Sequence, residues 1–215
     1  MSISHHPDLA WLLDFAAGNL SRGTELVLSA HLTVCAECRA EVARAESFGA
    51  RLLADAAPAA PKLSARDVLL AAKQGASASA GVTRSRGRVR DLEGFVSTWL
   101  ECSLGGLAWR WGGPGLRMAN LSRSDGERIW LLHAKPGTVL PRHTHQGAEL
   151  TLVLKGGYFS RSEIYSPGDV EDADEETLHQ PVITTGGECL CLAVTEGPLK
   201  FSGLVPRLVQ RLIKI

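Results

Sequence analysis

Six of the seven histidines and the one Cys-x-x-Cys pair of this chain fall into two groups whose spacing is typical of metal ligands. In the first group, His31, Cys35 and Cys38 stand at positions i, i+4 and i+7, which share one face of a helix. Thiolate and imidazole are the donors that a closed, tetrahedral zinc site prefers. Such a site needs a fourth ligand, and His6 or His5, just before the first expected helix, can supply it. The first group therefore predicts a zinc site.

The second group lies in the other half of the chain. His143 and His145 alternate on an expected strand, so their side chains point to the same side. Glu149 follows a short turn, and hairpin-like geometry would bring it back beside the two histidines, while His179 can reach the same ion from a later strand. Three imidazoles and a carboxylate suit zinc, iron, manganese or nickel, so spacing leaves the metal open. Two metal sites without an obvious catalytic nucleophile suggest a sensor joined to an effector.

The elements that must position the first group are helices. Apolar residues recur at helical spacing in a segment that opens at Asp8, then over 24–32 and over about 35–54, and Ser64 can cap a fourth helix. A helical unit of roughly 70 residues has a thin core, so a metal that ties its helices together makes energetic sense. We expect a small all-α zinc-binding domain over residues 1–75.

The second group lies in a part of the chain whose sequence pattern indicates strands rather than helices. Residues 76–91 consist mostly of Gly, Ala, Ser and Arg and predict a flexible linker. After it, β-rich runs alternate with Gly and Pro turns, at 129–133, 150–154, 181–184 and 189–195. That rhythm predicts an all-β barrel or sandwich over residues 92–215.

Composition excludes several classes of function. The chain has 215 residues with 23 basic and 23 acidic side chains, so no overall field attracts it to nucleic acid or an anionic membrane. No apolar run approaches the ~20 residues of a membrane span, and the N-terminus does not resemble a signal peptide. Five cysteines, two of them in metal-type spacing, argue against a secreted disulfide framework. We therefore expect a cytoplasmic protein without direct contact to nucleic acid or membrane.

The second group also matches a known family pattern. Its residues form the run Gly137-x5-His143-x-His145-x3-Glu149-x6-Gly156. This run resembles the first signature motif of the cupin superfamily, whose fold is a double-stranded β-helix or jelly roll. The second motif departs from the family pattern, because His179 follows the Pro167-Gly168 turn at a longer interval. The resemblance implies a cupin metal site made of the second group.

The first group, His31-x3-Cys35-x2-Cys38 with His6, resembles the zinc-binding anti-sigma domain. A zinc anti-sigma domain followed by a cupin-like domain is the arrangement of the ChrR family of anti-sigma factors, and the resemblance extends over essentially the whole chain. It implies that the helical domain sequesters an extracytoplasmic-function (group IV) sigma factor. It further implies that the cupin domain ends this inhibition when it senses oxidative stress such as singlet oxygen. The implied cofactor is one zinc per domain, with another divalent ion as the alternative in the cupin site.

Other interpretations stay open at the level of sequence. The chain can be a metal-dependent cupin enzyme, a dioxygenase or isomerase with a helical interaction domain, although such an enzyme does not need the N-terminal zinc motif. It can also be a metal-storage or small-molecule-binding module. Cys189 and Cys191 share one face of an expected strand and are either packed core thiols or a sensory dithiol.

Overall fold

A computed structural model describes residues 3–57, 64–74, 91–123 and 127–201. The expected linker over 76–91 lies outside these residues except for Asp91. Contacts divide the chain into two compact units, one made of Met1–Glu46 with Val89–Ile215 and the other of Ser47–Arg88. This grouping differs from the expected division at residues 75 and 92, which stays a prediction. No helix in the described ranges is long and apolar enough to cross a membrane.

Helices make up the N-terminal part of the described chain. They are α1 (Leu9–Ala17), α2 (Arg22–Val34), α3 (Ala36–Asp55), α4 (Ala65–Gln74) and α5 (Leu92–Trp99), with a 3-10 helix at Leu104–Gly106. The helix α1 begins where Asp8 accepts a hydrogen bond from the backbone of Ala10, and it ends at Gly18, whose φ of 71° favours glycine. Ser64 accepts a hydrogen bond from the backbone N–H of Asp67 at the start of α4. The four helices expected from sequence are confirmed.

The helix α5 was not expected, because residues from 92 onward were assigned to strands. The Asp91 side chain caps it by accepting a hydrogen bond of 2.6 Å from the Gly94 backbone. Only Leu92 and Val96, one turn apart, are buried on its inner face. Two apolar residues are too few to establish a helical period in a sequence, so this helix is fixed by its cap and its packing.

Eleven strands follow in the described residues. They are β1 (Arg110–Gly113), β2 (Leu116–Arg123), β3 (Arg128–Ala134), β4 (His143–Thr144), β5 (Glu149–Lys155), β6 (Tyr158–Ser160), β7 (Glu163–Tyr165), β8 (Val170–Ala173), β9 (Val182–Ile183), β10 (Cys189–Thr195) and β11 (Lys200–Phe201). They form a six-stranded sheet in the order β1-β2-β3-β10-β5-β8, a three-stranded sheet β7-β6-β9 and the pair β11-β4. The expected all-β architecture is confirmed.

The central strand β10 separates two apolar layers. All of its residues are buried, and successive side chains point to opposite faces of the sheet. On one face, Leu190, Leu192 and Val194 join a buried cluster that includes residues of α2 and α5. On the other face, Cys189, Cys191 and Ala193 join the interior cluster between the sheets. Burial on both faces explains why the run reads as continuously apolar.

The helix α2 packs directly onto the six-stranded sheet. Leu26 and Leu28 are fully buried and belong to the same apolar cluster as Leu192. Burying a leucine side chain contributes about 1.5–3 kcal/mol. In addition, the Glu127 carboxylate, just before β3, accepts a hydrogen bond of 3.1 Å from the Gly23 backbone in the first turn of α2. The helix that carries His31 is thereby fixed to the β-rich part of its own unit.

Candidate metal centres

Four side chains converge near the N-terminus to form what we call the N-terminal centre. They are the four that the sequence indicated, namely His6, His31, Cys35 and Cys38. One potential ligand atom from each lies within 4.8 Å of the others. The three downstream residues do not share one helix, as the spacing suggested, because Cys35 has an extended backbone and separates α2 from α3. Its Sγ accepts a hydrogen bond from the Cys38 backbone, so Cys35 ends one helix and caps the next.

The donor atoms of the N-terminal centre are spaced as zinc requires. Nε2 of His31 lies 3.2 Å from Sγ of Cys38, and Nδ1 of His6 lies 3.4 Å and 3.3 Å from Sγ of Cys35 and Cys38. Tetrahedral zinc with ordinary Zn–S and Zn–N bond lengths separates such atoms by roughly 3.5 Å. Nδ1 of His31 lies 2.8 Å from the carbonyl oxygen of Gly168, to which it must donate, so Nε2 carries the lone pair. The donor set therefore fits a zinc ion.

The structure also distinguishes between the two candidate fourth ligands. Nδ1 of His5 lies 3.4 Å from the Asp169 carboxylate, and its Nε2 lies 3.5 Å from that of Glu163. The His5 ring also lies against Tyr165, with ring centroids 4.2 Å apart. His5 thus belongs to the contact with the β-rich part, and His6 faces the two cysteines.

Burial governs the protonation of the N-terminal centre. Desolvation, together with the neighbouring Cys35, raises the pKa of Cys38 to about 12, so this thiol stays protonated at neutral pH without a cation beside it. Desolvation lowers the pKa of His31, which favours the neutral imidazole that can bind a metal. A bound dication would favour the thiolate, so metal binding and proton release are coupled here.

Four buried side chains form a second cluster, which we call the C-terminal centre. They are His143, His145, Glu149 and His179, with one potential ligand atom from each lying within 4.8 Å of the others. His179 comes from a loop whose backbone exchanges two hydrogen bonds, of 3.0 and 3.1 Å, with His143. The sequence interval left this fourth member least secure, and the structure brings it to the other three.

The expected hairpin between the two histidines and Glu149 is wrong. The strand β4, which begins at His143, pairs with β11, whereas β5, which begins at Glu149, pairs with β10 and β8. The two strands lie in different sheets. The ligand residues therefore do not come from a single ladder of paired strands.

The imidazoles of the C-terminal centre are oriented for a cation. Nδ1 of His143 donates to the carbonyl oxygen of Pro141 at 2.7 Å, and Nδ1 of His179 lies 3.1 Å from the Glu171 carboxylate. In neutral rings that donate through Nδ1, the Nε2 atoms of His143 and His179 direct lone pairs at each other across 3.1 Å. Nε2 of His145 lies 3.0 Å from that of His179. A metal ion among the three rings would accept all three lone pairs.

The carboxylate of the C-terminal centre is ionised. Burial alone would raise the pKa of Glu149, but the adjacent His145, followed by His143 and His179, lowers it to about 2. Its Oε2 lies 3.2 Å from Nδ1 of His145, and its Oε1 accepts a hydrogen bond of 3.1 Å from Thr151. Desolvation lowers the pKa of His143 and favours its neutral form. Burial alone would lower the pKa of His145, but its contact with the Glu149 carboxylate raises it. The centre therefore offers a dication an anionic oxygen and the imidazole nitrogens of its histidines.

Glu171 on β8 supports this centre, and sequence analysis missed it. It is 2% exposed and accepts hydrogen bonds from Tyr158 at 2.8 Å and Ser160 at 2.6 Å, besides its contact with His179. Burial alone would raise the pKa of Glu171, but these donors, led by His179, lower it. The only sequence signal is an acidic residue between the buried positions of a short strand, which by itself indicates no partner.

A cavity of about 250 Å³ adjoins the C-terminal centre. Its walls are largely apolar and include Trp111, Met118 and Leu132. Cys189 and Cys191 also line it, with their Sγ atoms 3.5 Å apart, and both belong to the buried interior cluster. The two cysteines are packed thiols that face the cavity, and a sensory role for them stays a hypothesis.

Comparisons with known proteins agree with this architecture. Residues 101–200 match the family model of the ChrR cupin-like domain. The anti-sigma-E factor ChrR of Cereibacter sphaeroides (strain ATCC 17023) is 36% identical over 217 residues, which cover all of both chains. An RmlC-like cupin protein of Ralstonia eutropha JMP134 is 21% identical, over an alignment that covers 47% of this chain and 70% of that chain. The TM-score of this match is 0.42.

A solved structure extends the agreement to the helical part. The crystal structure of Rhodobacter sphaeroides SigE in complex with the anti-sigma ChrR matches with a TM-score of 0.73 and 33% identity, covering 90% of this chain and 100% of that chain. The match therefore includes the helical N-terminal region as well as the β-rich region. On this full-length similarity, the chain belongs to the ChrR family of anti-sigma factors.

Proposed function

We propose that this protein sequesters an extracytoplasmic-function (group IV) sigma factor through its N-terminal helices. In this proposal it releases the sigma factor when the C-terminal centre senses oxidative stress such as singlet oxygen. The observation that carries the proposal is the similarity to a ChrR protein whose crystal structure is a complex with SigE. Because sigma factors act on RNA polymerase, the proposal places the protein in the cytoplasm.

Exposed apolar side chains on the helices support sequestration. On α1, Leu9 and Leu13 are exposed. The second half of α3 exposes Phe48, Leu52 and Leu53, and α4 exposes Val68, Leu69 and Leu70. Large exposed apolar patches on monomeric proteins usually mark interaction sites, and a stable inhibitory complex needs a large buried interface. These residues are the ones we expect a sigma factor to cover.

The N-terminal centre would hold zinc through His6, His31, Cys35 and Cys38. An ion there would fix α2 against α3 and the segment before α1, in a helical region with little core of its own. The C-terminal centre would hold zinc or another divalent ion, since its nitrogen and oxygen donors suit several metals. We propose no catalytic residue for either centre.

The cavity beside the C-terminal centre supports a sensing role. Singlet oxygen is small and uncharged, so an apolar cavity of about 250 Å³ admits it to the buried imidazoles. Oxidation of His143 or His179 would remove a nitrogen donor from the centre. The cavity equally favours one other function, a metal-dependent cupin dioxygenase or isomerase, which would consume oxygen or convert a small substrate when loaded with metal.

The proposal can be tested by reconstitution with Rhodobacter sphaeroides SigE. We expect the zinc-loaded full chain to co-elute with SigE and to inhibit SigE-dependent transcription by RNA polymerase. Illumination with a photosensitiser should restore transcription. A zinc-loaded, folded chain that neither binds SigE nor inhibits transcription would contradict the proposal, and oxygen consumption in the dark with a small substrate would favour the enzyme.

A further inference from the structure

The segment of residues 168–172, which we call the bridging segment, contacts both metal centres. It consists of Gly168 at the end of the Pro167-Gly168 turn, Asp169, and the first three residues of β8. Within β8 the neighbouring side chains of Glu171 and Asp172 point to opposite faces, and Asp169 lies just before the strand, so this short stretch can reach two different sites.

The first contact is with the N-terminal centre. The carbonyl oxygen of Gly168 accepts the hydrogen bond of 2.8 Å from Nδ1 of His31. The fully buried Asp169 carboxylate accepts from the backbone N–H groups of Ser4 at 2.8 Å and His5 at 3.1 Å. The Val170 backbone donates to the carbonyl oxygen of His5 at 3.1 Å. The bridging segment therefore holds the candidate ligand His31 and the residues just before the candidate ligand His6.

The second contact is with the C-terminal centre. Glu171, two residues after Asp169, places its Oε1 3.1 Å from Nδ1 of His179. A carboxylate that accepts the second ring proton of a metal-bound histidine fixes the ring and strengthens it as a ligand. A metal ion on Nε2 would in turn make Nδ1–H a stronger donor to Glu171. Occupation of the C-terminal centre thus fixes β8 at residue 171.

The bridging segment has little room to adjust. Gly168 has a φ of +97°, and a Cβ built there would lie 2.3 Å from Ile3 and 3.2 Å from Val34. At the other end of the segment, the Asp172 carboxylate accepts a hydrogen bond of 2.9 Å from Nε1 of Trp11. A displacement at Glu171 would therefore be transmitted to the N-terminal segment rather than absorbed by loose packing.

We propose that Asp169 and Glu171 are positioning residues that couple the two metal centres. Metal at the C-terminal centre holds Glu171, Glu171 holds β8, and β8 holds the backbone before His6 and the ring of His31. Loss of a ligand at the C-terminal centre then weakens metal binding at the N-terminal centre. This inference deepens the proposed function, on which it rests, by assigning the path along which the sensing site reaches the helices.

The test measures the metal affinity of one centre while the other is changed. Cobalt(II) is the probe, because thiolate-to-cobalt charge transfer absorbs only when the ion is bound to cysteine, and only the N-terminal centre contains cysteine. Chelator competition on the full chain gives the cobalt affinity in the wild type and in Glu171→Gln. The matched control is Glu188→Gln, a carboxylate that lies 3.2 Å from His133 and near neither centre.

We expect Glu171→Gln to weaken cobalt binding at the N-terminal centre on the order of tenfold, a typical size for coupling between sites. Emptying the C-terminal centre with His143→Ala should weaken it by a similar factor, and Glu188→Gln should leave it unchanged. Since coupling between two binding sites is reciprocal, emptying the N-terminal centre with Cys35→Ser should weaken zinc binding at the C-terminal centre as well. Amide exchange at Ser4, His5 and Val170 should accelerate in Glu171→Gln.

Ser160→Ala provides a milder variant should Glu171→Gln fail to fold, because it removes one of the donors to Glu171. It should weaken cobalt binding in the same direction and by less. Unchanged cobalt affinity in a folded Glu171→Gln or Ser160→Ala protein would overturn the coupling. If the chain binds SigE while the metal affinities of the two centres are independent, the coupling is wrong and the proposed function stands. If the two metal affinities are coupled but the chain does not bind SigE, the coupling stands and the proposed function is wrong.

Discussion

Nε2 of His31 and Sγ of Cys38 lie 3.2 Å apart, on two helices that Cys35 separates. The Nδ1 proton of His31 is donated to Gly168, so Nε2 faces the sulfur with a lone pair. Only a thiol proton or a metal ion can occupy the space between them. The first makes one weak hydrogen bond, whereas the second joins four side chains at once.

Removing a ligand of the N-terminal centre should therefore abolish the inhibitory activity. In His31→Ala and in Cys35→Ser we expect zinc content to fall from about two to about one per chain and SigE to be lost in co-elution, because α2 and α3 are no longer tied. His133→Ala is the matched control, since His133 is half-buried and lies near Glu188. Binding of SigE by a zinc-free His31→Ala protein would contradict the mechanism.

Changing the C-terminal centre should abolish the proposed oxidative response but leave SigE binding intact. Glu149→Gln removes the anionic ligand, so we expect it to lose the second metal and the response to photosensitised oxidation while it still binds SigE at saturating zinc. Metal analysis and co-elution before and after illumination measure the two effects. A Glu149→Gln protein that still releases SigE on illumination would show that sensing occurs elsewhere.

Zinc binding should release protons at neutral pH. Because the pKa of Cys38 is raised to about 12 without metal, this thiol is protonated at pH 7 and must lose its proton to bind zinc. Apparent zinc affinity should thus rise with pH through the neutral range. Calorimetry in buffers of different ionisation enthalpy should give at least one released proton for the wild type and fewer for Cys38→Ser; equal release would contradict this assignment.

The helix α2 and the six-stranded sheet should unfold together. Leu28→Ala opens a cavity between them and should lower the free energy of unfolding by about 2–5 kcal/mol. Circular dichroism for the helices and tryptophan fluorescence, to which Trp111 and Trp130 on the strands contribute, should shift to the same lower denaturant concentration. The control is Leu13→Ala, which is 49% exposed and should change stability little while weakening SigE binding. Two separate transitions in the wild type would contradict joint unfolding.

The sequence sufficed to predict the ligand residues where spacing carried the information. His31, Cys35 and Cys38 are close in the chain, and His143, His145 and Glu149 fall within one short run, so their spacing was enough to indicate them as a set. The helices up to Gln74 and the strands β3, β4, β5, β9 and β10 were likewise predictable from period and turn residues, whereas β6, β7 and β8 were not predicted.

Features that depend on distant partners were not predictable. Whether His5 or His6 faces the cysteines is decided by Asp169, which holds the backbone of His5 from 164 residues away. The role of Glu171 depends on His179 and Ser160, which approach it only once the sheets have formed. The short helix α5 is similarly a product of packing, since its apolar face consists of two residues.

The seating of α2 on the sheet has an evolutionary consequence. A gene rearrangement that transferred the β-rich half alone to another regulator would leave Leu192 and its neighbours facing water, because α2 now covers that surface. The recipient protein would have to cover that surface with another apolar element for the transferred β-rich part to stay in solution. Inheritance of the β-rich part should therefore carry the first 46 residues with it.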